Sequence, residues 1–236
     1  MSWTYAYAFH TGDGHEKCAD ICVCEAIGDT IIAAVSDGAG SAANARAGAA
    51  IACQCFAEMG VQLLGGTMEP SCLLEAIRDR LPDGPPDSFA CTLVGIVADP
   101  HGALVLQVGD GAAVYRRAGM GEGTFRVAVW PEETEFLNHT FFITADDASE
   151  HLLVERINEP IGAFALFTDG LQHLVVDSKN RTPHQPFFTT IFKPLSDDGD
   201  HDVKASWWLE RQLASDHVTK RTDDDTSIVI ARRAGC

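Results

Sequence analysis

Ile31-Ile32-Ala33-Ala34-Val35-Ser36-Asp37-Gly38 is an apolar run that ends abruptly on an acid followed by a glycine. Such a run fits a strand covered on both faces, where the usual alternation of apolar and polar residues disappears. The same pattern returns at Leu104-Val105-Leu106-Gln107-Val108-Gly109-Asp110-Gly111 and at Phe164-Ala165-Leu166-Phe167-Thr168-Asp169-Gly170. A fourth acidic cluster, Asp223-Asp224-Asp225, stands where the last apolar run begins. The chain holds six Asp-Gly pairs, and any one of them alone is an ordinary turn. Repetition at the ends of buried strands changes that reading. Carboxylates fixed at strand ends, with glycine admitting close backbone approach, make a rigid set of oxygen ligands. Packed together without a cation, they would repel each other strongly. Asp37, Asp169 and Asp224 are therefore expected to converge on a divalent cation such as Mg2+ or Mn2+, which favour hard oxygen donors.

The flanking sequence predicts the frame that carries these ends. Trp3–Phe9 alternates as a strand does, and Ile21–Ala26 with Thr30–Val35 forms a hairpin about Ile27-Gly28-Asp29. Ala42–Leu64 reads as one long buried helix, capped by Ser41 and ended by Gly65-Gly66. Glu69–Leu81 has helical spacing, and Pro82–Asp87 breaks the chain again. Strands are expected at Phe89–Val97, Ala103–Val108, Ala112–Arg116 and Thr124–Val129. Trp130–Glu150 reads as a polar connection with a short strand at Thr140–Thr144. Ala163–Thr168 is a further strand, and Pro186–Leu195 and Asp202–His217 are helices, the second with Trp207, Trp208 and Leu209 on a broad apolar face. Thr226–Ala231 closes the chain as a strand. Strands and helices do not alternate strictly, which excludes Rossmann and barrel folds. The fold class is α/β (α+β), a layered sandwich with mainly antiparallel sheets, and 1–236 is expected to form a single domain.

Composition narrows the function classes. Apolar residues make up 46% of the 236, ordinary for a globular protein and unlike a disordered one. The formal charge of −17, with 34 acidic against 17 basic residues and no basic stretch, would repel nucleic acid. No secretory signal is evident, and no apolar run is expected to span a bilayer. The eight cysteines include the pairs Cys22/Cys24 and Cys53/Cys55, on a strand and on a helix. Neither pair has the partners of a zinc site, and a chain this long needs no disulfide staples, so a reducing cytoplasm is the expected location. There is no Gly-x-Ser-x-Gly elbow, no Cys-x5-Arg signature and no Gly-x4-Gly-Lys-Ser/Thr loop, and Cys91 reads as a core residue.

The ordered set Asp37-Gly38-Ala39-Gly40-Ser41, Gly109-Asp110-Gly111, Thr168-Asp169-Gly170 and Asp224-Asp225-Thr226-Ser227 resembles the protein phosphatase 2C family, the metal-dependent protein phosphatases. The segment Trp130-Pro131…Glu135-Phe136…Asn138…Thr140…Phe142 is similar to its bacterial branch. The resemblance implies a four-layer α-β-β-α sandwich, two mainly antiparallel sheets flanked by helices. It implies hydrolysis of phosphoserine or phosphothreonine in a protein substrate by a water activated between two Mn2+ or Mg2+ ions, with a third ion possible and a cognate Ser/Thr kinase as counterpart. In that scheme Asp37 bridges two ions, the Gly38 carbonyl binds one, and Asp169 and Asp224 hold the other. Asp20 falls where the family keeps an acid near the reacting water. His15 stands five residues earlier, where most of the family has a phosphate-binding Arg. An imidazole lacks the guanidinium fork, so Lys17 or His15 itself is left to substitute. Asp110 matches a third-ion position whose usual partner, an Asp four residues past Asp169, is here His173. Imidazole suits manganese or zinc better than magnesium. The leaving oxygen needs an acid, which His15 or a water bound at the centre could supply. Two alternatives remain open: a phosphatase-like binding module with weak or no activity, and an enzyme acting on a small phosphorylated molecule. Oligomeric state is not encoded in any of these features.

Overall fold

The computed structural model describes residues 2–13, 15–121, 123–130, 140–177, 179–196 and 199–235, with the His173 side chain also outside the description. Pro131, Glu135, Phe136 and Asn138 lie outside the described residues. In chain order the elements are β1 (Trp3–His10), β2 (Ile21–Ile27), β3 (Thr30–Ser36), α1 (Ala45–Leu64), α2 (Ser71–Arg80), β4 (Leu93–Ala98), β5 (Ala103–Val108), β6 (Ala112–Arg117), β7 (Arg126–Val127), β8 (Leu153–Ile157) and β9 (Ile161–Phe167). They continue with α3 (Asp169–Val175), β10 (Val176–Asp177), β11 (Thr182–Pro183), α4 (Gln185–Ile191), β12 (Asp200–His201), α5 (Val203–Leu213), α6 (Asp216–Thr219) and β13 (Thr226–Arg233).

One sheet runs β12-β1-β13-β9-β6-β7, the other β2-β3-β4-β5-β8, and β10 pairs with β11 apart from both. Every pairing within the two large sheets is antiparallel except β1 with β12. The facing sides of the sheets share a core that includes Trp3, Val35, Ile96, Leu166 and Val229. Helices α1 and α2 cover the outer face of the second sheet through Phe56, Leu63, Leu73 and Ile77. Phe188, Ile191, Leu209 and Leu213 of α4 and α5 cover the outer face of the first. This is the four-layer α-β-β-α sandwich. It explains why β4, β5 and β9 are buried at every residue and show no alternation.

Several expectations are corrected. Ser41 does not cap α1; the helix begins at Ala45 after Asn44, which makes no side-chain cap bond because residues 39–44 are used in tight turns, Ala42 N–H bonding Ala39 O at 2.8 Å. Thr140–Thr144 is not a strand, since β8 occupies the place beside β5; Ile143 instead buries its side chain and donates one bond to Cys91 O at 2.8 Å. The helix expected over Asp202–His217 breaks after Leu213, where Ser215 Oγ takes the Gln212 carbonyl at 2.6 Å. Trp207 is exposed, and the buried face of α5 is Ala205, Ser206, Leu209 and Leu213. Phe89 belongs to a short 3-10 turn, and the strand at Thr124–Val129 shrinks to Arg126–Val127. Helix α1 is in fact long and apolar enough to cross a membrane by length and composition, but half of it is buried, with Ala49, Ala52 and Phe56 against the second sheet. The seven described cysteines form no disulfide.

Phe56 lies flat enough against β4 that a Cβ on Gly95 would sit 2.5 Å from its ring. Phe56→Ala is expected to lower the unfolding free energy by about 3–5 kcal/mol, read as a lower denaturant midpoint at unchanged slope.

Candidate metal centre

Strand register brings the acids to one rim. Ile21 faces Ser36 across the hairpin, so Asp20, just before β2, stands beside Asp37, just after β3. Phe167 faces both Ala112 and Ile228, which sets Asp169 beside Asp110 in the β5–β6 connection and beside Asp224 ahead of β13. Two glycines let these ends close up. A Cβ on Gly38 would meet the Ala45 backbone at 2.9 Å and Ala19 O at 3.0 Å; one on Gly170 would lie 2.1 Å from Asp225 O. No other residue fits either place without moving backbone.

Hydroxyls then fix the carboxylates. Asp37 N–H donates to Thr92 Oγ1 at 3.1 Å, and Thr92 N–H returns to Asp37 O at 2.8 Å. Thr168 Oγ1 donates to Asp20 Oδ2 at 2.8 Å while accepting from Ser227 N–H at 3.0 Å. Thr140 Oγ1 donates to Asp110 Oδ2 at 2.6 Å. The remaining oxygens Asp20 Oδ1 and Asp110 Oδ1 are buried and take no hydrogen bond from the described residues. Asp224 is exposed and Asp37 and Asp169 half-buried, so the cluster opens to solvent. Buried oxygens lacking donors, beside carboxylates open to water, suit a hard divalent cation that keeps part of its hydration shell.

Electrostatics point the same way. Burial, then the charges of Asp110, Asp37 and Asp224, push Asp169 up to about 8. Burial and the neighbouring Asp20, Asp224 and Asp110 also raise Asp37, and burial raises Asp20 despite the bond from Thr168. Asp225 behaves oppositely. Its burial is outweighed by bonds from Gly12 N–H at 2.8 Å, Ala19 N–H at 2.6 Å and His15 Nδ1 at 3.0 Å, which hold it below the usual carboxylate range. That bond and charge raise His15.

A model of the family described as Protein phosphatase 2C matches residues 10–214. The chain belongs to the protein phosphatase 2C family. It is 32% identical over 253 residues to serine/threonine-protein phosphatase 3 of Escherichia coli (strain K12), covering 98% of each chain. In fold it is similar to the serine/threonine phosphatase PstP/Ppp of Mycobacterium tuberculosis, with TM-score 0.66, 14% identity and 99% of each chain covered. It is also similar to the catalytic domain of PstP in complex with 2 manganese ions, with TM-score 0.65, 16% identity and 98% of each chain covered. The protein is thus a metal-dependent serine/threonine phosphatase of the bacterial 2C type.

Asp20, Asp37, Gly38, Asp110, Asp169 and Asp224 all lie at this rim, and His15 joins them through Asp225. His173 is on α3, one turn beyond Asp169, and its side chain lies outside the description. Three contributors went unassigned from sequence. Asp225 clamps the 12–19 loop, a role that an acidic run does not disclose. Thr168 anchors Asp20. Arg46, in the first turn of α1, bonds the carbonyls of Cys18 and Asp20. Cys18 also comes within 4.8 Å of Asp20 and Asp225, but burial, with those two charges, pushes its thiol up to about 12 and keeps it protonated.

Because Asp169 is about 3.8 unfolded and about 8 folded, its contribution is fully present below pH 3.8 and is lost as pH rises toward 8. Protein held in chelator is therefore expected to lose thermal stability across that window, measured by calorimetry. At pH 8 Asp37→Asn should melt higher than wild type in chelator and gain less from added Mn2+.

Proposed function

We propose that this protein hydrolyses phosphoserine and phosphothreonine in protein substrates, with Mn2+ or Mg2+ held by Asp37, the Gly38 carbonyl, Asp169 and Asp224. The observation that carries this reading is that strand register sets those groups on one rim, beside the buried Asp20 and Asp110 oxygens that take no hydrogen bond from the described residues. Two ions are expected. Asp110 and His173 mark a third position, and His173 would favour a softer ion there. When bound, the ions supply Lewis acidity toward water and phosphoryl oxygens. The remaining work falls to the chain itself. Asp20, tethered through one oxygen by Thr168, would accept the proton that the attacking water loses. His15, whose charged form the Asp225 carboxylate favours, lines a cavity with Asp37, Gly38 and Asp224 and would protonate the departing Ser or Thr oxygen. A cognate Ser/Thr kinase is the natural source of the substrate. The free thiols suit a reducing cytoplasm, and we read 1–236 as one catalytic domain.

Asp37→Asn and Asp169→Asn are each expected to cut kcat on a phosphothreonine peptide by about a thousandfold or more, with circular dichroism unchanged. Excess chelator should do the same to wild type, and Mn2+ should restore it. Full activity in both variants would remove these residues from the centre. No turnover of a phosphopeptide, p-nitrophenyl phosphate or a small phosphate ester by Mn2+-loaded protein would leave a binding module instead. Hydrolysis of the small ester alone would point to a metabolite phosphatase.

The pairing with Asp225 sets a pH limb. Activity should fall as pH rises through a His15 pKa above the ordinary 6.5, because the acid form is lost. In His15→Ala the pH–kcat profile should lose that limb.

A further inference from the structure

We propose that Arg46 is the guanidinium that binds the phosphoryl group, from helix α1 rather than from the loop position that His15 occupies. This rests on the phosphatase reading above and assigns its anion-binding residue. Arg46 is exposed in the first turn of α1 and lines the same cavity, about 590 Å3, as Asp37, Gly38, Asp224 and His15. Its Nη1 donates to Cys18 O and to Asp20 O, the latter at 3.2 Å, which pins the guanidinium to the cavity wall beside the acids. Both partners are neutral carbonyls. Among the described residues Arg46 makes no ion pair with a carboxylate, so its full charge remains to meet an incoming anion.

His15 is differently placed. Its ring nitrogen is 3.0 Å from Asp225 Oδ1, so its positive charge is matched within the protein and exerts less pull on a phosphate dianion. Lys17 lines the cavity too, but an ammonium offers a point charge where a guanidinium offers a planar fork matching two phosphoryl oxygens. The start of α1 reinforces Arg46. Its first residue Ala45 and the preceding Ala42 and Ala43 line the same cavity, and its first turn has no acidic residue to offset the positive end of a 20-residue helix. In a chain of charge −17 the basic side chains lining this cavity are His15, Lys17 and Arg46, and of the acids there Glu16 stands on the same loop.

The rival role for Arg46 is purely positional, tethering Cys18 and Asp20. Two readouts separate the roles: inhibition by inorganic phosphate during Mn2+-dependent hydrolysis of p-nitrophenyl phosphate, and calorimetric titration of Mg2+-loaded protein with inorganic phosphate. Arg46→Ala is expected to raise KM and the phosphate inhibition constant by about tenfold or more, with a smaller change in kcat. Arg46→Lys should recover only part of the loss. Adding His15→Arg to Arg46→Ala should restore phosphate affinity, since a guanidinium then returns to the cavity from the loop, whatever happens to kcat. A phosphate affinity within twofold of wild type in Arg46→Ala overturns the proposal. So does a fall in kcat alone, or a loss of affinity that His15→Arg leaves unrescued, both of which a tether predicts. If wild type hydrolyses nothing, the phosphatase reading fails, and the titration alone then decides Arg46 by the same criterion.

Discussion

Mutual repulsion among carboxylates at one rim is the constraint that the rest of this structure answers. Asp20, Asp37, Asp110 and Asp169 would separate if their strands were free to move. They are held by a layer of side chains locked between two sheets, with Trp3, Val35, Leu166 and Val229 fully or almost fully buried. Interior packing of this kind resists small displacements and, with the hydroxyl bonds at the rim, holds the strand ends in place. Asp-Gly at each end follows from the same constraint. The acid must sit at the strand's end, and the next residue must let a neighbouring chain segment pass within van der Waals contact.

The rim is also polar in direction. Its floor is acidic, while the wall formed by the 12–19 loop and the start of α1 carries His15, Lys17 and Arg46 with a single acid, Glu16, lining it among them. Asp225 joins the two sides. It sits among the acids in sequence, yet it faces the loop, accepting two backbone N–H groups and the His15 ring. Consecutive acids in Asp223-Asp224-Asp225 therefore do unlike work. Asp224 is exposed to the opening, and Asp225 is a structural clamp that fixes the loop and sets the ionisation of His15.

The sandwich and the acidic rim were legible in sequence because both rest on local patterns. Apolar runs such as Ile161–Phe167 mark strands buried on both faces, and acids at their ends need only the register to be brought together. β8 was not legible. Leu153–Ile157 is an edge strand with Glu155 and Arg156 exposed, too short and too polar to stand out. The opposite error at Thr140–Thr144 has the same origin, since strand-like composition there serves to bury Ile143 under the second sheet. Long-range contacts were beyond reach as well. Nothing near Arg46 in sequence announces that its guanidinium meets Cys18 and Asp20, 28 and 26 residues away.

That distance bears on how the cavity is built. A guanidinium at the His15 position would rise from a loop held through Asp225. Arg46 instead rises from a helix whose start is held closely: a Cβ on Gly48 would lie 2.0 Å from the Phe89 carbonyl, and Ala45, Ala49 and Ala52 are buried along the face below. The bonds to Cys18 and Asp20 then hold the guanidinium against the loop that Asp225 fixes. A site carried on a packed helix keeps its geometry to a tolerance that a loop site does not. With His15 committed to Asp225, the helix is the part of this rim from which a fixed, unmatched positive charge can reach a phosphoryl group.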